Sequence, residues 1–275
     1  MGISIIVVLV IITLALLALF FKKFTNVNIT RSNKRNPLPY KVQLPHNITL
    51  TTWGAVFIKS AFGSSDFFPA SFMLEAQGKV ICIDPLLIDD PRSADYILIT
   101  HAHPDHFSLS DIEKLATKDT IIICPKQVDN RLSAYQTKVV KPGDLLNLGK
   151  IKCEAIAAYS LGFPSHPKWN HNVGYILTIN GERIYHAGDT DLIPELKNIK
   201  DITIAMVPID GDNLTMKTEE FMQLIDKDIS VHQSNISTVP VSPLTLTICP
   251  SFNKSVAEGI PTTAGIPYSL ATIPP

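Results

Sequence analysis

The segment His101-Ala102-His103-Pro104-Asp105-His106 places three imidazoles and a carboxylate within six residues, directly after the apolar run Tyr96-Ile97-Leu98-Ile99-Thr100. The chain has eight histidines in 275 residues, so three in six positions is improbable by chance and the segment reads as a metal site. A strand turns alternate side chains to one face, so His101 and His103 project together where the strand ends. Asp105 and His106 follow on the turn. Neutral imidazoles and a carboxylate suit borderline ions such as zinc, and donors this close can divide between two neighbouring ions. One short segment can therefore seed a binuclear centre.

The chain is long enough to bury a sizeable core as one large domain or two small ones. A net charge of -1, with no long basic run in the body, gives no electrostatic case for a nucleic-acid partner. Cys82, Cys124, Cys153 and Cys249 are scattered, and no pair has zinc-ribbon or redox spacing, so they read as buried reduced thiols. Gly2 to Phe21 is an uncharged apolar run of about 20 residues, the length a helix needs to cross a bilayer core. It lacks the basic n-region, short apolar core and A-x-A site of a cleaved signal peptide, so it reads as an uncleaved single-pass anchor. Lys22, Lys23, Arg31, Lys34 and Arg35 follow it, and positive residues favour the cytoplasmic side. The body is expected to face the cytoplasm.

Four stretches follow from the patterning: an anchor over 1–21, a polar, proline-broken linker over 22–47, a body over 48–232, and a Ser/Thr/Pro-rich tail over 233–275 with no sustained period. The body's apolar segments are short and strand-like, including Phe72 to Leu74, Val80 to Ile83, Tyr96 to Thr100 and Thr120 to Cys124. Ser110-Asp111-Ile112-Glu113 has the capping-box pattern, predicting a helix after the histidine segment with Ser110 as its cap. Asp144 to Leu148 and Ile151 to Ala158 predict a hairpin about Gly149-Lys150. Val173 to Ile179 and Glu182 to His186 predict a second about Asn180-Gly181, a pair that tolerates the positive φ angles of a type I′ turn. Ile202 to Ile209 reads as another buried strand, followed by an amphipathic helix around Lys217 to Lys227. Strands with interspersed helices fit a two-sheet sandwich covered by helices.

The H-x-H-x-D-H pattern, with its preceding apolar strand and the upstream Ile81-Cys82-Ile83-Asp84-Pro85, resembles the signature of the metallo-β-lactamase superfamily. Asn172-Val173-Gly174-Tyr175, Tyr185 to Thr190 and Gly211 to Glu220 bring the likeness nearest to small hydrolases related to L-ascorbate-6-phosphate lactonase. The resemblance implies an α/β fold, the four-layer αβ/βα sandwich, here with an N-terminal transmembrane helix. It also implies hydrolysis by a metal-activated water of an ester, lactone or phosphodiester, on a small-molecule or lipid substrate. Two divalent ions would serve, zinc first, with manganese or iron as alternatives.

By that resemblance another ligand histidine follows the strand Glu154 to Ser160, and His166 takes the place, with His171 as the alternative. Asp189 in Gly188-Asp189-Thr190 corresponds to the family's carboxylate that bridges two ions, and Gly188 permits close backbone approach. His101, His103 and His166 are then assigned to one ion, Asp105, His106 and His232 to the other, with Asp189 shared and Asp105 also steering the nucleophile. Asp84 resembles the family's buried aspartate that orients a ligand histidine. His186, on the strand itself, is assigned a place behind the ligands. Two departures stand out: Phe68-Pro69-Ala70-Ser71-Phe72 lacks the family's early Gly-His, and His232 lacks the surrounding prolines. Two other readings stay open, an iron-dependent oxidoreductase of the same superfamily and a catalytically impaired metal-binding protein. A lipid-hydrolysing enzyme resembling the N-acylphosphatidylethanolamine branch is a further form of the hydrolase reading.

Overall fold

The computed structural model describes residues 10–14, 16, 27–32, 40–53, 56–60, 63–67, 70–89, 92–162, 165–208, 215–217, 220, 240–241, 246–248 and 268–269. Two sheets face one another. The first comprises β2 (Tyr40–Leu44), β3 (Ile48–Thr52), β6 (Phe72–Ala76), β7 (Lys79–Ile83), β8 (Tyr96–Leu98), β9 (Ile121–Cys124) and β10 (Gln136–Val139). Their order is β10-β9-β8-β7-β6-β3-β2. The second runs β11-β12-β13-β14-β15-β17, from β11 (Leu145–Leu148), β12 (Ile151–Ala157), β13 (Val173–Ile179), β14 (Glu182–His186), β15 (Ile204–Val207) and β17 (Leu246–Ile248). A smaller sheet joins β1 (Asn28–Arg31), β4 (Val56–Ser60) and β5 (Gly63–Phe67), and β16 (Pro240–Val241) pairs with β18 (Tyr268–Ser269).

Strand periodicity sorts the side chains into layers. Ile81 and Ile83 point between the two sheets, as do Val173, Tyr175, Leu177 and Ile179. Cys82, Ile97 and Ile122 point outward and bury the helices α1 (Leu109–Leu115) and α2 (Lys126–Asp129) through Ile112, Leu115 and Val128. On the far side, Ile176, Tyr185 and Ala205 pack under Ile193, Leu196 and Met216. Cys82, Cys124 and Cys153 are free and buried, and burial pushes each thiol up to about 12, so they act as small apolar groups. Cys249 lies outside the described residues.

Both expected hairpins form. β11 and β12 pair antiparallel, and β13 and β14 meet at Asn180 (φ 52°) and Gly181 (φ 91°), the two positive angles that this turn requires. The helix after the histidine segment also forms, with a different cap. Ser108, not Ser110, is the N-cap, because its hydroxyl accepts from the Asp111 backbone N–H while donating to the Asp111 carboxylate. That carboxylate also accepts from the backbone N–H groups of Leu87 and Ile88, both at 2.9 Å, and so ties α1 to the loop after β7.

The stretch read as a linker carries two strands. Tyr40–Leu44 pairs with β3, and Asn28–Arg31 pairs with β4, so ladder hydrogen bonds order this polar chain where composition suggested a spacer. The stretch read as a tail likewise supplies β16, β17 and β18, with β17 extending the second sheet beside β15. Of the apolar run, residues 10–14 and 16 are described, all helical and exposed. Among the described residues no helix is long and apolar enough to cross a membrane. The helix expected over 217–227 lies outside the described residues apart from Lys217 and Glu220, which are joined by a 2.8 Å bond from Lys217 N to Glu220 Oε2.

Candidate metal centre

Register brings the functional segments to one pole of the sandwich. β7 ends at Ile83 beside Leu98 of β8, and β12 ends at Ala157 opposite Val173, where β13 begins. The backbone crosses between sheets there, with Val173 N donating to Thr100 O at 3.2 Å. The Tyr175 hydroxyl reaches from β13 to Ile99 O at 2.8 Å. Gly188 (φ 61°) fits against this junction, since a Cβ there would lie 3.0 Å from Val173 O and 3.2 Å from Thr100 Cβ.

Within that pole, ligand atoms of His101, His103, His166 and Asp189 all lie within 4.8 Å of one another. His103 Nδ1 stands 3.1 Å from His101 Nε2 and 3.0 Å from His166 Nε2. Asp189 Oδ2 lies 3.4 Å from His166 Nε2 and 3.8 Å from His101 Nε2, while its Oδ1 faces the other way, 3.3 Å from His106 Nε2. Asp105 Oδ2 completes that second side, 3.8 Å from His106 Nε2. One carboxylate thus stands between two groups of donors.

Hydrogen bonds behind the histidines set which nitrogen faces inward. Asp84, fully buried at φ 44°, accepts from Thr100 N at 2.8 Å and from the Thr100 hydroxyl at 2.6 Å. Since that hydroxyl gives its hydrogen to Asp84, it accepts from His101 Nδ1–H at 2.9 Å, and the lone pair of His101 Nε2 points into the cluster. Asp84 Oδ2 also takes His106 Nδ1–H at 2.8 Å, turning His106 Nε2 toward Asp189. His166 Nδ1 is engaged by Ser160 Oγ at 3.2 Å and Ser165 Oγ at 3.0 Å. Imidazole nitrogens and a carboxylate converging at 3.0–3.8 Å from one another fit a cation, and imidazole with carboxylate fits zinc-like ions.

Electrostatics agree. Burial holds the His101, His103 and His166 imidazoles below their ordinary range, keeping them neutral and able to ligate. For His106 burial acts the same way, but the charges of Asp189 and Asp105 outweigh it and raise the imidazole well above its ordinary range. Burial opposes ionisation of Asp189, yet the charge and hydrogen bond of His106 outweigh it and hold the carboxyl below the usual range.

Of the residues expected at the site, His101, His103, Asp105, His106, His166 and Asp189 come together, and Asp84 stands behind two of the histidines. His186 is buried with Nε2 donating to Ala70 O at 2.9 Å and Nδ1 accepting from Gly188 N at 3.2 Å, so both nitrogens are committed. His171 is exposed at a left-handed turn and stays outside the cluster. His232 lies outside the described residues. Sequence reasoning missed Thr100, Ser160 and Ser165; the first and last adjoin ligand histidines in the chain, and that adjacency was the available signal.

Residues 67–228 match the model of the beta-lactamase superfamily domain. The chain is 34% identical over 165 residues to a UPF0173 protein of Pyrococcus abyssi, covering 57% of this chain and 74% of that one. It is 32% identical over 174 residues to a UPF0173 metal-dependent hydrolase of Archaeoglobus fulgidus, covering 54% and 70%. A crystal structure from Parabacteroides distasonis, provisionally described as a metal-dependent hydrolase, aligns with a TM-score of 0.57 at 33% identity, over 70% of this chain and 84% of that one.

Proposed function

The chain belongs to the metallo-β-lactamase superfamily and, within it, to the UPF0173 family of metal-dependent hydrolases; from that premise we propose a membrane-anchored binuclear hydrolase that cleaves an ester, lactone or phosphodiester. The observation that carries the binuclear reading is Asp189, whose two oxygens face His101 and His166 on one side and His106 on the other. His101, His103 and His166 would hold one ion, and Asp105 and His106 the second, with His232 as its further ligand. Metal ions bound there supply a lowered water pKa and polarisation of the oxygen under attack.

The chain's own residues do the rest. Asp189 holds the two ligand groups in register. Asp105, whose side chain is 30% exposed while His106 is 5% exposed, is the acidic group facing solvent, placed to orient an attacking water and take its proton. Asp84 and Thr100 keep the ligand imidazoles in the tautomer that presents Nε2. The anchor is residues 2–21, with the body on the cytoplasmic side, and the lactonase-like substrates suggested by the motif blocks fall within the proposed class.

Elemental analysis of the full chain, purified without added metal or chelator, paired with hydrolysis of p-nitrophenyl esters, lactones and phosphodiesters, tests this reading. Two zinc ions per chain and turnover that chelation abolishes and zinc restores are expected. Asp105→Ala should lower turnover by about 100-fold or more while the circular dichroism spectrum is unchanged. Full activity in that variant sinks the proposed role of Asp105. One ion with no turnover favours the impaired binding protein, and bound iron with oxygen uptake favours the oxidoreductase.

A further inference from the structure

We propose that the metal pole docks against a lipid bilayer, with Leu161 and Trp169 of the loop that carries His166 entering the interface. The proposal rests on the reading of residues 2–21 as an anchor and adds the face that the anchor presents to the membrane.

The path of the chain gives the first argument. β3 ends at Thr52 and β6 begins at Phe72, which pairs with Ile83 just before Asp84, so the β4–β5 hairpin leaves the sandwich at the metal pole. β1 adds to that hairpin through β4. At its end Arg31 donates to Leu87 O and, at 2.5 Å, to Asp89 Oδ2, both in the loop that follows Asp84. Arg31 is thus held beside the metal pole, and the preceding chain joins at Asn28, which pairs with Lys59 toward the tip of the hairpin. Only residues 22–27 separate Phe21 from Asn28, and an extended chain of that length reaches about 25 Å at ~3.6 Å per residue. A bilayer that holds the apolar run would lie within that reach of Asn28.

Surface chemistry gives the second argument. Among the described residues of the body, Trp169 is 75% exposed, Leu161 62% and Leu109 44%, and all three flank the ligand segments. The other large exposed apolar residues of the body, Val139 and Leu145, lie on the edge strands β10 and β11. Single exposed apolar side chains are ordinary on a surface, but an indole beside the metal pole of a tethered chain matches the preference of tryptophan for the membrane interface. Ser160 N donates to His166 O at 2.9 Å, and Lys168 Nζ donates to Glu195 Oε1 at 2.7 Å and Tyr159 OH at 3.1 Å, which brace the loop from within.

The chain has two tryptophans, and Trp53 is 2% exposed, so Trp169 alone can report on its surroundings. The full chain would be reconstituted into phosphatidylcholine and phosphatidylglycerol vesicles with acyl chains brominated near the headgroup. The expected result is loss of emission to the brominated lipid, absent in Trp169→Phe and weakened in Leu161→Asp. A chain that floats with the vesicles while Trp169 is quenched by aqueous iodide and not by bromine overturns the docking and leaves the anchor standing. A chain that does not float with the vesicles overturns the anchor, and the docking with it.

Discussion

Asp84 is one carboxylate with two tasks, since it receives His106 directly and His101 through the Thr100 hydroxyl, so a single buried residue orients a ligand on each side of Asp189. Thr100→Val keeps the shape and removes the hydroxyl, leaving His101 Nδ1–H without its acceptor and the imidazole free to change tautomer. Groups behind metal-bound histidines typically contribute 10- to 100-fold in affinity, so the variant should bind zinc about that much more weakly. Competition against a chromophoric chelator measures this, and unaltered affinity would remove Thr100 from the site. At this scale the sequence was most legible. The spacing of His101, His103, Asp105 and His106 within one strand exit announced the ligands, and the buried aspartate after an apolar strand announced Asp84. Which histidine Asp84 serves was hidden, because it depends on the left-handed turn at Asp84 and on contacts across 22 positions of chain.

At the scale of elements, the close approach of β13 to the end of β14 decides where Asp189 stands. Gly174 lies in β13, and a Cβ there would meet Ala187 O and His186 O at 2.6 Å, both rigid backbone. Gly174→Ala must push the end of β14 away from β13, at a cost of about 1–3 kcal/mol as for other overpacked sites. The same shift displaces the Gly188-Asp189 turn, so urea denaturation should show lower stability and metal titration weaker binding. Wild-type values in both would show that the turn relaxes freely. The hairpins about Gly149-Lys150 and Asn180-Gly181 were legible because their turn residues and alternation are local. β1 was not, since its short alternation gains a partner only from β4, about 30 residues distant. The helix cap shifted to Ser108 for a similar reason: Asp111 is held by Leu87 and Ile88, a tertiary contact that a capping pattern does not encode.

For the whole molecule, gathering these imidazoles in one buried place costs stability that a bound cation would offset, and pH exposes the balance. Burial lowers the folded-state pKa of His101, His103, His166 and His186, so as pH falls through about 6.5 the unfolded chain takes up protons that these groups refuse. Their contribution is therefore lost on acidification. His106 works in reverse, because its raised folded pKa favours the folded state below about 6.5 and that benefit fades as pH rises through the raised value. The expected outcome is that the lowered groups dominate and the metal-free protein melts at a lower temperature at pH 5.5 than at pH 7.5; the reverse order would show that His106 dominates. Zinc needs deprotonated ligands, so it should raise the melting temperature strongly at pH 7.5 and weakly at pH 5.5. Free zinc at 1,000 times its dissociation constant would add about 4 kcal/mol per site. Calorimetric scans at both pH values, with and without zinc, measure all four states. An equal gain at the two pH values would mean that zinc binds somewhere other than this histidine cluster, because only ligands that compete with protons make the gain depend on pH.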